Sequence, residues 1–414
     1  MITSFIFVSE GQGIKYGVGK YVSCFKKEIA ERVDISINIV VLGSKNCTGM
    51  KVIKEAANIN MVYYGSFSGG IREQDYIKKD EEALDTLQDY FKFDSNAIFH
   101  FIVWSGIFIA MALKKRSTNP VIFDLQSLEW QFALDGNKRK FDNYWNQIVN
   151  DCNTRYKNWL KPGVFYEKQL CSLSDHIIVR TNQMKNDVIE TYKADKNKIS
   201  VIPNGIEIQE PSIDGKEAVK EKLGFTLNER IILFVGRVCD QKGVQFLIRA
   251  FKLVLSDFKN IRLVIIGNGY YDNYLKECEN IWSKVTFTGR LDPDKMESLY
   301  RIADIGVVPS LYEPFGYVIL EMMLYGIPVI STNIEGPNDI IVDGATGFKV
   351  KVMENEEGNR SILPGELSEK VKLLLNNPLL TKSITKNASA RLKEQFSSSE
   401  MTKNIETIYR KLIF

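Results

Sequence analysis

The chain has 414 residues, 54 Lys+Arg against 51 Asp+Glu and a net charge of +3, and at about 150 residues per domain this length suggests two or three domains, with two large α/β domains fitting as well. With 44% hydrophobic and 25% charged residues the composition is ordinary for a globular protein with substantial cores, and the near-balanced charge argues against a nucleic-acid carrier, which would show a basic stripe. No apolar run approaches the roughly 20 residues of a membrane span, the scattered Cys24, Cys47, Cys152, Cys171, Cys239 and Cys278 include no Cys-x-x-Cys pair and indicate neither a disulfide framework nor a zinc site, and the opening MITSFIFVSEG reads as a first strand and not a signal peptide, so the expectation is a soluble cytoplasmic protein.

Taken in order, short β-branched runs alternate with helical stretches. Strands are expected over 3–9, 37–43, 59–64, 97–104, 120–125, 176–180 and 199–203. A second series follows at 230–236, 262–267, 285–288, 304–309 and 328–332. Most are continuous apolar runs, the pattern of strands covered on both faces of a parallel sheet. Helix-like segments such as 245–256 and 294–303 lie between them, which predicts an α/β chain of doubly wound parallel sheets. The polar stretch 204–229 interrupts the series and places a linker near residue 207, with one Rossmann-like domain on each side. Residues 385–414 read as a mostly helical polar tail whose apolar end, IYRKLIF, implies docking.

Three stretches bear chemistry. In 309–332, PSLYEPFGYVILEMMLYGIPVIST, Pro314 and Gly316 hold Glu313 on a loop and a helix should begin near Tyr317. Exposed amides at a helix start suit an anion or sugar hydroxyls. Glu321 falls about one turn into that otherwise apolar helix, where a carboxylate could accept bonds from vicinal hydroxyls. An internal ion pair or cap explains the two glutamates equally well, since a buried carboxylate needs a partner. In 233–243, LFVGRVCDQKG, Arg237 and Lys242 flank the start of a helix at the C-terminal edge of a strand, a place that suits a diphosphate. A solvated Arg and Lys on a loop is the plainer alternative. In 9–21, SEGQGIKYGVGKY, Gly11, Gly13, Gly17 and Gly19 permit close backbone approach to a ligand, but the spacing matches neither a dinucleotide fingerprint nor a P-loop, and a flexible turn accounts for it too.

Together, VIPNGIE (201–207), FVGRVCDQKG (234–243), VTFTGRL (285–291), ADIGVVPSLYEPFGYVILEMMLYGIPVIST (303–332) and VDGATGFKV (342–350) resemble the large retaining GT-B glycosyltransferase family with the Glu-x7-Glu motif (glycosyl transferases group 1), which includes sucrose synthase, bacterial glycogen synthase-like enzymes and mannosyltransferases of lipid glycan assembly. The resemblance is dense over about 200–350 and looser before it. It implies two Rossmann-like domains facing a cleft: 1–207 binding the acceptor, 208–390 binding the nucleotide sugar, and a helix over 391–414 packing back on the first. It also implies that Arg237 and Lys242 hold the donor diphosphate, that Glu321 binds the ribose hydroxyls, and that Glu313 lies by the donor sugar. Phe315, Gly316, Tyr317 and Val318 match the loop contacting sugar and phosphate, Gly17 and Gly19 the glycine loop over the diphosphate, and Leu291 a position near the base.

The chain departs from the family's pattern in its first half. Where a His-x-His pair is common, His100 is followed by Ile102, and where a His-Asp is common the sequence reads Phe123-Asp124. Asp124 is therefore the candidate replacement for the histidine that usually points at the donor sugar. His100, at the end of an apolar run, reads as a satisfied core histidine, and His176 as structural.

The resemblance implies transfer of a sugar from a nucleoside-diphosphate sugar to a glycan, lipid-linked or protein hydroxyl, with retention, no permanently bound cofactor and no metal. The single Asp-x-Asp, Asp292-Pro293-Asp294, is explained as a helix N-cap, a proline at the first helical position and an acidic first turn. Residues 126–166 interleave Trp130, Phe141, Tyr144, Trp145, Tyr156, Trp159, Phe165 and Tyr166 with Lys138, Arg139, Lys140, Arg155, Lys157 and Lys161. This insert either lines the acceptor cleft, meets a membrane surface at the inner face or a partner protein, or forms an extra helix pair with an aromatic core. Two other readings are a catalytically silent partner subunit, favoured by the missing histidine, and a sugar-nucleotide epimerase, whose hydrolytic chemistry needs acids and histidines that these motifs do not supply.

Overall fold

The computed structural model describes residues 1–10, 17–45, 47–65, 73–102, 104, 106–148, 157–209 and 215–414. The chain divides into two compact units: Met1–Ala133 with Asn143–Glu207 and Ser397–Phe414, and Leu134–Asp142 with Ile208–Phe396.

The first unit is built on β1 (Ile2–Ser9), β2 (Ile35–Ser44), β3 (Met50–Ala56), β4 (Ile59–Gly65), β5 (Ala97–Ile102), β6 (Val121–Leu125), β7 (His176–Val179) and β8 (Ile199–Val201). Their order in the sheet is β3-β4-β2-β1-β5-β6-β7-β8. Every pairing is parallel except that of β3 with β4. The central strands β5 and β6 are buried at every position, because apolar side chains on both faces meet covering helices. The strand β3 was not expected: MKVIKEA is charged and largely exposed, as befits a sheet edge that must resist pairing with another chain.

The second unit holds β9 (Arg230–Val235), β10 (Ile261–Ile266), β11 (Val285–Gly289), β12 (Ile305–Val308), β13 (Val329–Thr332) and β14 (Phe348–Val350). All are parallel, in the order β11-β10-β9-β12-β13-β14, and a small antiparallel hairpin, β15 (Val352–Glu354) with β16 (Arg360–Ile362), follows. The core joins Ile232, Phe234 and Val307 of the sheet to Leu247 and Phe251 of helix Val244–Leu255. Each such side chain contributes about 1.5–3 kcal/mol on burial.

Two further departures from expectation have local causes. The polar stretch after residue 207 contains a helix, Lys216–Lys222, anchored by the buried Val219. The C-terminal tail is two helices, Pro378–Gln395 and Ser398–Ile413. The break falls where Ser397 caps the second helix through Glu400 N–H, while Ser398 N–H bonds Ile206 O at 2.9 Å. A Cβ on Gly205 would stand 2.5 Å from Ser397 O, so this crossing requires glycine. The helix then packs against Gly17–Ala30, burying Met401, Ile405 and Tyr409.

The aromatic insert is divided between the units. Trp130 is buried in helix Glu129–Ala133 of the first unit, whereas Phe141 is buried in the segment Leu134–Asp142 of the second. Tyr144 and Phe165 are exposed, and Tyr166 packs with Trp104 and Phe108. Arg155 and Tyr156, and the side chains of Lys157, Trp159 and Lys161, lie outside the described residues. Among the described residues no helix is long and apolar enough to cross a membrane.

Candidate functional site

In an open parallel sheet, ligands bind beyond the C-terminal strand ends at the point where strand order reverses. In the second unit that point lies between β9 and β12, which are neighbours in the sheet although two strands separate them in sequence. The loops leaving these two strands carry Arg237 and Lys242 on one side and Glu313 on the other.

Glycines let these loops approach each other. After β9 the chain passes Gly236 and makes a 3-10 turn, Asp240–Lys242, before Gly243 (φ 69°) starts helix Val244–Leu255. A Cβ on Gly243 would lie 1.9 Å from Pro309 O, so only glycine allows the contact with the β12 loop. Leu311 N–H then donates to Gln241 O at 2.8 Å. On the other flank, Val238 N–H donates to Asn268 O at 2.8 Å, and a Cβ on Gly267 would meet Gly236 O at 1.8 Å.

The charged groups stand on this frame. Lys242 Nζ donates to Glu313 Oε2 at 2.6 Å, with side chains 15% and 18% exposed. The exposed Arg237 donates through Nη2 to Gln241 Oε1 at 2.7 Å. Gly336 N–H holds Glu313 O at 3.1 Å, and Phe315 is buried. Gly316, at φ 115°, turns the chain into helix Tyr317–Leu324, whose first amides, from Tyr317 and Val318, sit where no intrahelical carbonyl is available. The helix therefore begins where the sequence places it.

Glu321 is half-buried on this helix, and Tyr300 O–H donates to its Oε2 at 2.6 Å. Tyr300 stacks on Tyr325 with ring centroids 5.2 Å apart. Burial, reinforced by the Glu321 charge, pushes the Tyr300 hydroxyl well above its ordinary pKa, which keeps it a donor. Leu291 is half-buried between Arg290, whose N–H donates to Asn268 Oδ1 at 2.9 Å, and Asp292, which caps helix Pro293–Ile302 through Lys295 N–H at 3.0 Å.

The candidates in the first unit have different surroundings. Gly17 opens helix Gly17–Ala30 and Gly19 lies in its first turn, while Gly11 and Gly13 fall outside the described residues. Asp124 is fully buried, with both carboxylate oxygens engaged. Oδ1 accepts from Arg180 Nη2 and from Gln126 Nε2 at 2.9 Å; Oδ2 accepts from Tyr21 O–H at 2.6 Å and meets His100 Nε2 at 3.1 Å. The bonds run on from His100 Nδ1 to the Tyr409 hydroxyl at 2.7 Å, whose oxygen accepts from Ser4 Oγ at 3.0 Å. This geometry makes Asp124 the anchor of a buried framework. His100 is fully buried, and burial, with Arg180 adding, lowers its pKa to about 3. His176 is likewise internal, bonded to Ser200 Oγ at 2.9 Å.

The structure thus brings Arg237, Lys242 and Glu313 to one strand edge with Glu321 along the adjoining helix. Gln241 bonds Arg237 and Tyr300 bonds Glu321, and nothing in the local spacing of either residue marks it in the sequence. Among the described residues no group of three or more metal-ligating side chains occurs.

A model of glycosyl transferases group 1 matches residues 215–391 and one of glycosyltransferase family 4 matches 92–210. An uncharacterized glycosyltransferase of Methanocaldococcus jannaschii is 32% identical over 324 residues, spanning 77% of this chain and 76% of that protein. The capsular polysaccharide biosynthesis glycosyltransferase CapM of Staphylococcus aureus is 30% identical over 253 residues, 59% of this chain and 63% of that one. HepE of Anabaena, solved in complex with UDP and glucose, has the same fold, with a TM-score of 0.71 and 15% identity over 99% of this chain and all of that one. The chain belongs to the glycosyl transferases group 1 family and is a glycosyltransferase of the GT-B fold.

Proposed function

We propose that the enzyme moves a sugar, with retention, from a nucleoside-diphosphate sugar to a hydroxyl of a glycan, glycolipid or protein acceptor. The observation that carries this reading is the Lys242–Glu313 ion pair across the reversal point of the second sheet, beside the start of helix Tyr317–Leu324. A diphosphate at this place meets the Lys242 ammonium, the Arg237 guanidinium and the helix amides, while its ribose reaches Glu321.

In this reading the bond between the anomeric carbon and the diphosphate oxygen breaks with its electron pair passing to the phosphate. The acceptor oxygen forms the new bond from the same face, and its proton goes to the departing phosphate. Charge accumulates on the leaving group, so preorganised donors aimed at it lower the barrier. Glu313, released from Lys242 when the diphosphate arrives, offsets positive charge developing on the sugar. No side-chain base is needed, which agrees with both histidines being internal. The capsular-polysaccharide role of CapM supports a glycan or glycolipid acceptor, and the UDP bound to HepE supports including a uridine donor in the test.

The test is a thermal-shift panel of UDP-, GDP- and ADP-sugars, since a ligand of the folded state raises stability by RT ln(1 + [L]/Kd). Donor turnover and NMR of the product anomer then follow. One nucleotide class is expected to stabilise the protein, and the donor's anomeric configuration to persist in the product. No stabilisation and no turnover would favour the silent-subunit alternative.

A further inference from the structure

A short segment from the first half of the sequence, Leu134–Asp142 (LDGNKRKFD), belongs to the second unit. Consecutive left-handed residues, Asp135 (φ 53°) and Gly136 (φ 71°), bend it sharply. A Cβ on Gly136 would stand 2.8 Å from Arg360 Nη1 and 2.9 Å from Tyr312 Cδ2. The segment is seated by contacts that do not involve the Asp135 side chain. Asn137 Nδ2 donates to Glu357 O at 3.1 Å, Arg139 to Glu356 O at 3.0 Å and Lys140 Nζ to Asn359 Oδ1 at 2.8 Å, while Arg360 donates to Gly136 O at 3.2 Å.

Asp135 has a different target. Its Oδ1 accepts from Gln241 Nε2 at 2.5 Å, and Gln241 Oε1 accepts from Arg237 Nη2 at 2.7 Å. A carboxylate in its ionised form only accepts hydrogen bonds. It therefore draws the NH2 end of the Gln241 amide and leaves the oxygen for the guanidinium; the flipped amide would set N–H against N–H at Arg237. The order of the three residues is thus fixed by donor and acceptor chemistry. We infer that Asp135 and Gln241 are positioning residues that hold the Arg237 guanidinium ready for the donor's diphosphate. Holding the exposed arginine beforehand spares part of the rotamer freedom it would otherwise lose on binding, which favours affinity. The inference rests on Arg237 being a diphosphate ligand.

Calorimetric titration with UDP, GDP and ADP, using whichever binds the wild type, tests it. Asp135→Ala and Gln241→Leu are each expected to weaken binding about 5- to 20-fold; Gln241→Leu should melt within about 2 °C of wild type, whereas the left-handed backbone at Asp135 (φ 53°) should lower the melting temperature of Asp135→Ala by about 2–4 °C. Asp135→Asn, which keeps an acceptor oxygen, should stay within about 3-fold. The decisive arm is a double-mutant cycle. In the Arg237→Ala background, Asp135→Ala should cost nothing more, whereas a merely structural role would give multiplying losses. Wild-type binding with unchanged affinity in Asp135→Ala, or multiplying losses in the cycle, overturns the inference alone. A wild type that binds none of the three nucleotides overturns the donor-site reading and this inference with it.

Discussion

The Lys242 ammonium lies 2.6 Å from a Glu313 carboxylate oxygen, and the two residues belong to loops that leave β9 and β12, adjacent strands at the reversal point of the second sheet. With both side chains mostly shielded, the pair neutralises a site that would otherwise concentrate positive charge. Under the proposed function a diphosphate would compete with Glu313 for the same ammonium, making donor binding and release of the carboxylate one exchange.

That exchange separates affinity from rate. Glu313→Gln removes the competitor, so nucleoside-diphosphate binding is expected to tighten by about 3- to 10-fold, while sugar transfer falls about 100-fold or more because the carboxylate's charge is gone. Lys242→Met should lose both, with kcat/KM down by about two to three orders. Calorimetry and steady-state kinetics on the two variants check this; weaker nucleotide binding by Glu313→Gln would show that Glu313 does not compete with the diphosphate.

Glu321 has a distinct signature if it reads ribose hydroxyls. Glu321→Ala should weaken binding of a ribonucleoside diphosphate and leave its 2′-deoxy counterpart nearly unaffected, so the preference between them collapses. Tyr300→Phe, which deletes the 2.6 Å bond to Glu321, should reduce the preference and destabilise the fold by about 1.5–3 kcal/mol, the usual range for a bond to a charged group. Paired titrations and urea melts measure both. A preference unchanged in Glu321→Ala assigns the ribose elsewhere.

The parts of the fold legible in the sequence are those whose physics is local. RIILFVG and DIGVVP announce strands because burial on both faces leaves unbroken apolar runs. The edge strand β3 does not, since Lys51, Lys54 and Glu55 interrupt it on exposed backbone, and β14 is three residues long. Likewise Arg237, Lys242, Glu313 and Glu321 stand out by their spacing around loop glycines and a helix start. Gln241 and Tyr300 do not, because their roles come from partners such as Asp135, 106 residues from Gln241. Asp124 is alike in this: nothing local to it in the sequence marks Arg180, 56 residues away, or His100, which enclose it.

The buried framework around Asp124 is a stability element. Asp124→Asn leaves the wholly buried Arg180 without its counter-charge, and losing one partner of such a pair costs about 3–5 kcal/mol. The internal histidines add a pH dependence with a definite sign. Burial lowers His100 to about 3 and His176 to about 4, the latter with help from Lys411. The unfolded chain, near 6.5, therefore takes up protons first as pH falls. Stability is fully present above about pH 6.5 and is lost below it, by up to about 1.4 kcal/mol per pH unit for each histidine. Urea midpoints at pH 7.5, 6.5 and 5.5 should decline over the lower interval, and His176→Asn should make the decline shallower. A flat profile from pH 6.5 to 5.5 would contradict the assignment.

Glycine at 243 is required by geometry. Gly243→Ala would put a methyl group 1.9 Å from Pro309 O at a backbone angle of φ 69°, forcing the β9 and β12 loops apart and moving Lys242 away from Glu313. The expected result is a melting temperature several degrees lower, about 4 °C or more, together with loss of nucleotide binding. Alanine at Gly215, with open space around its Cβ position, is the control and should change neither.

The most direct measurement is a crystal structure of the enzyme with a nucleoside diphosphate bound. Phosphate oxygens are expected within hydrogen-bonding distance, about 2.7–3.2 Å, of Lys242 Nζ and the Arg237 guanidinium, with the Lys242–Glu313 contact broken. A nucleotide seated at another strand edge, leaving that ion pair intact, would contradict this placement.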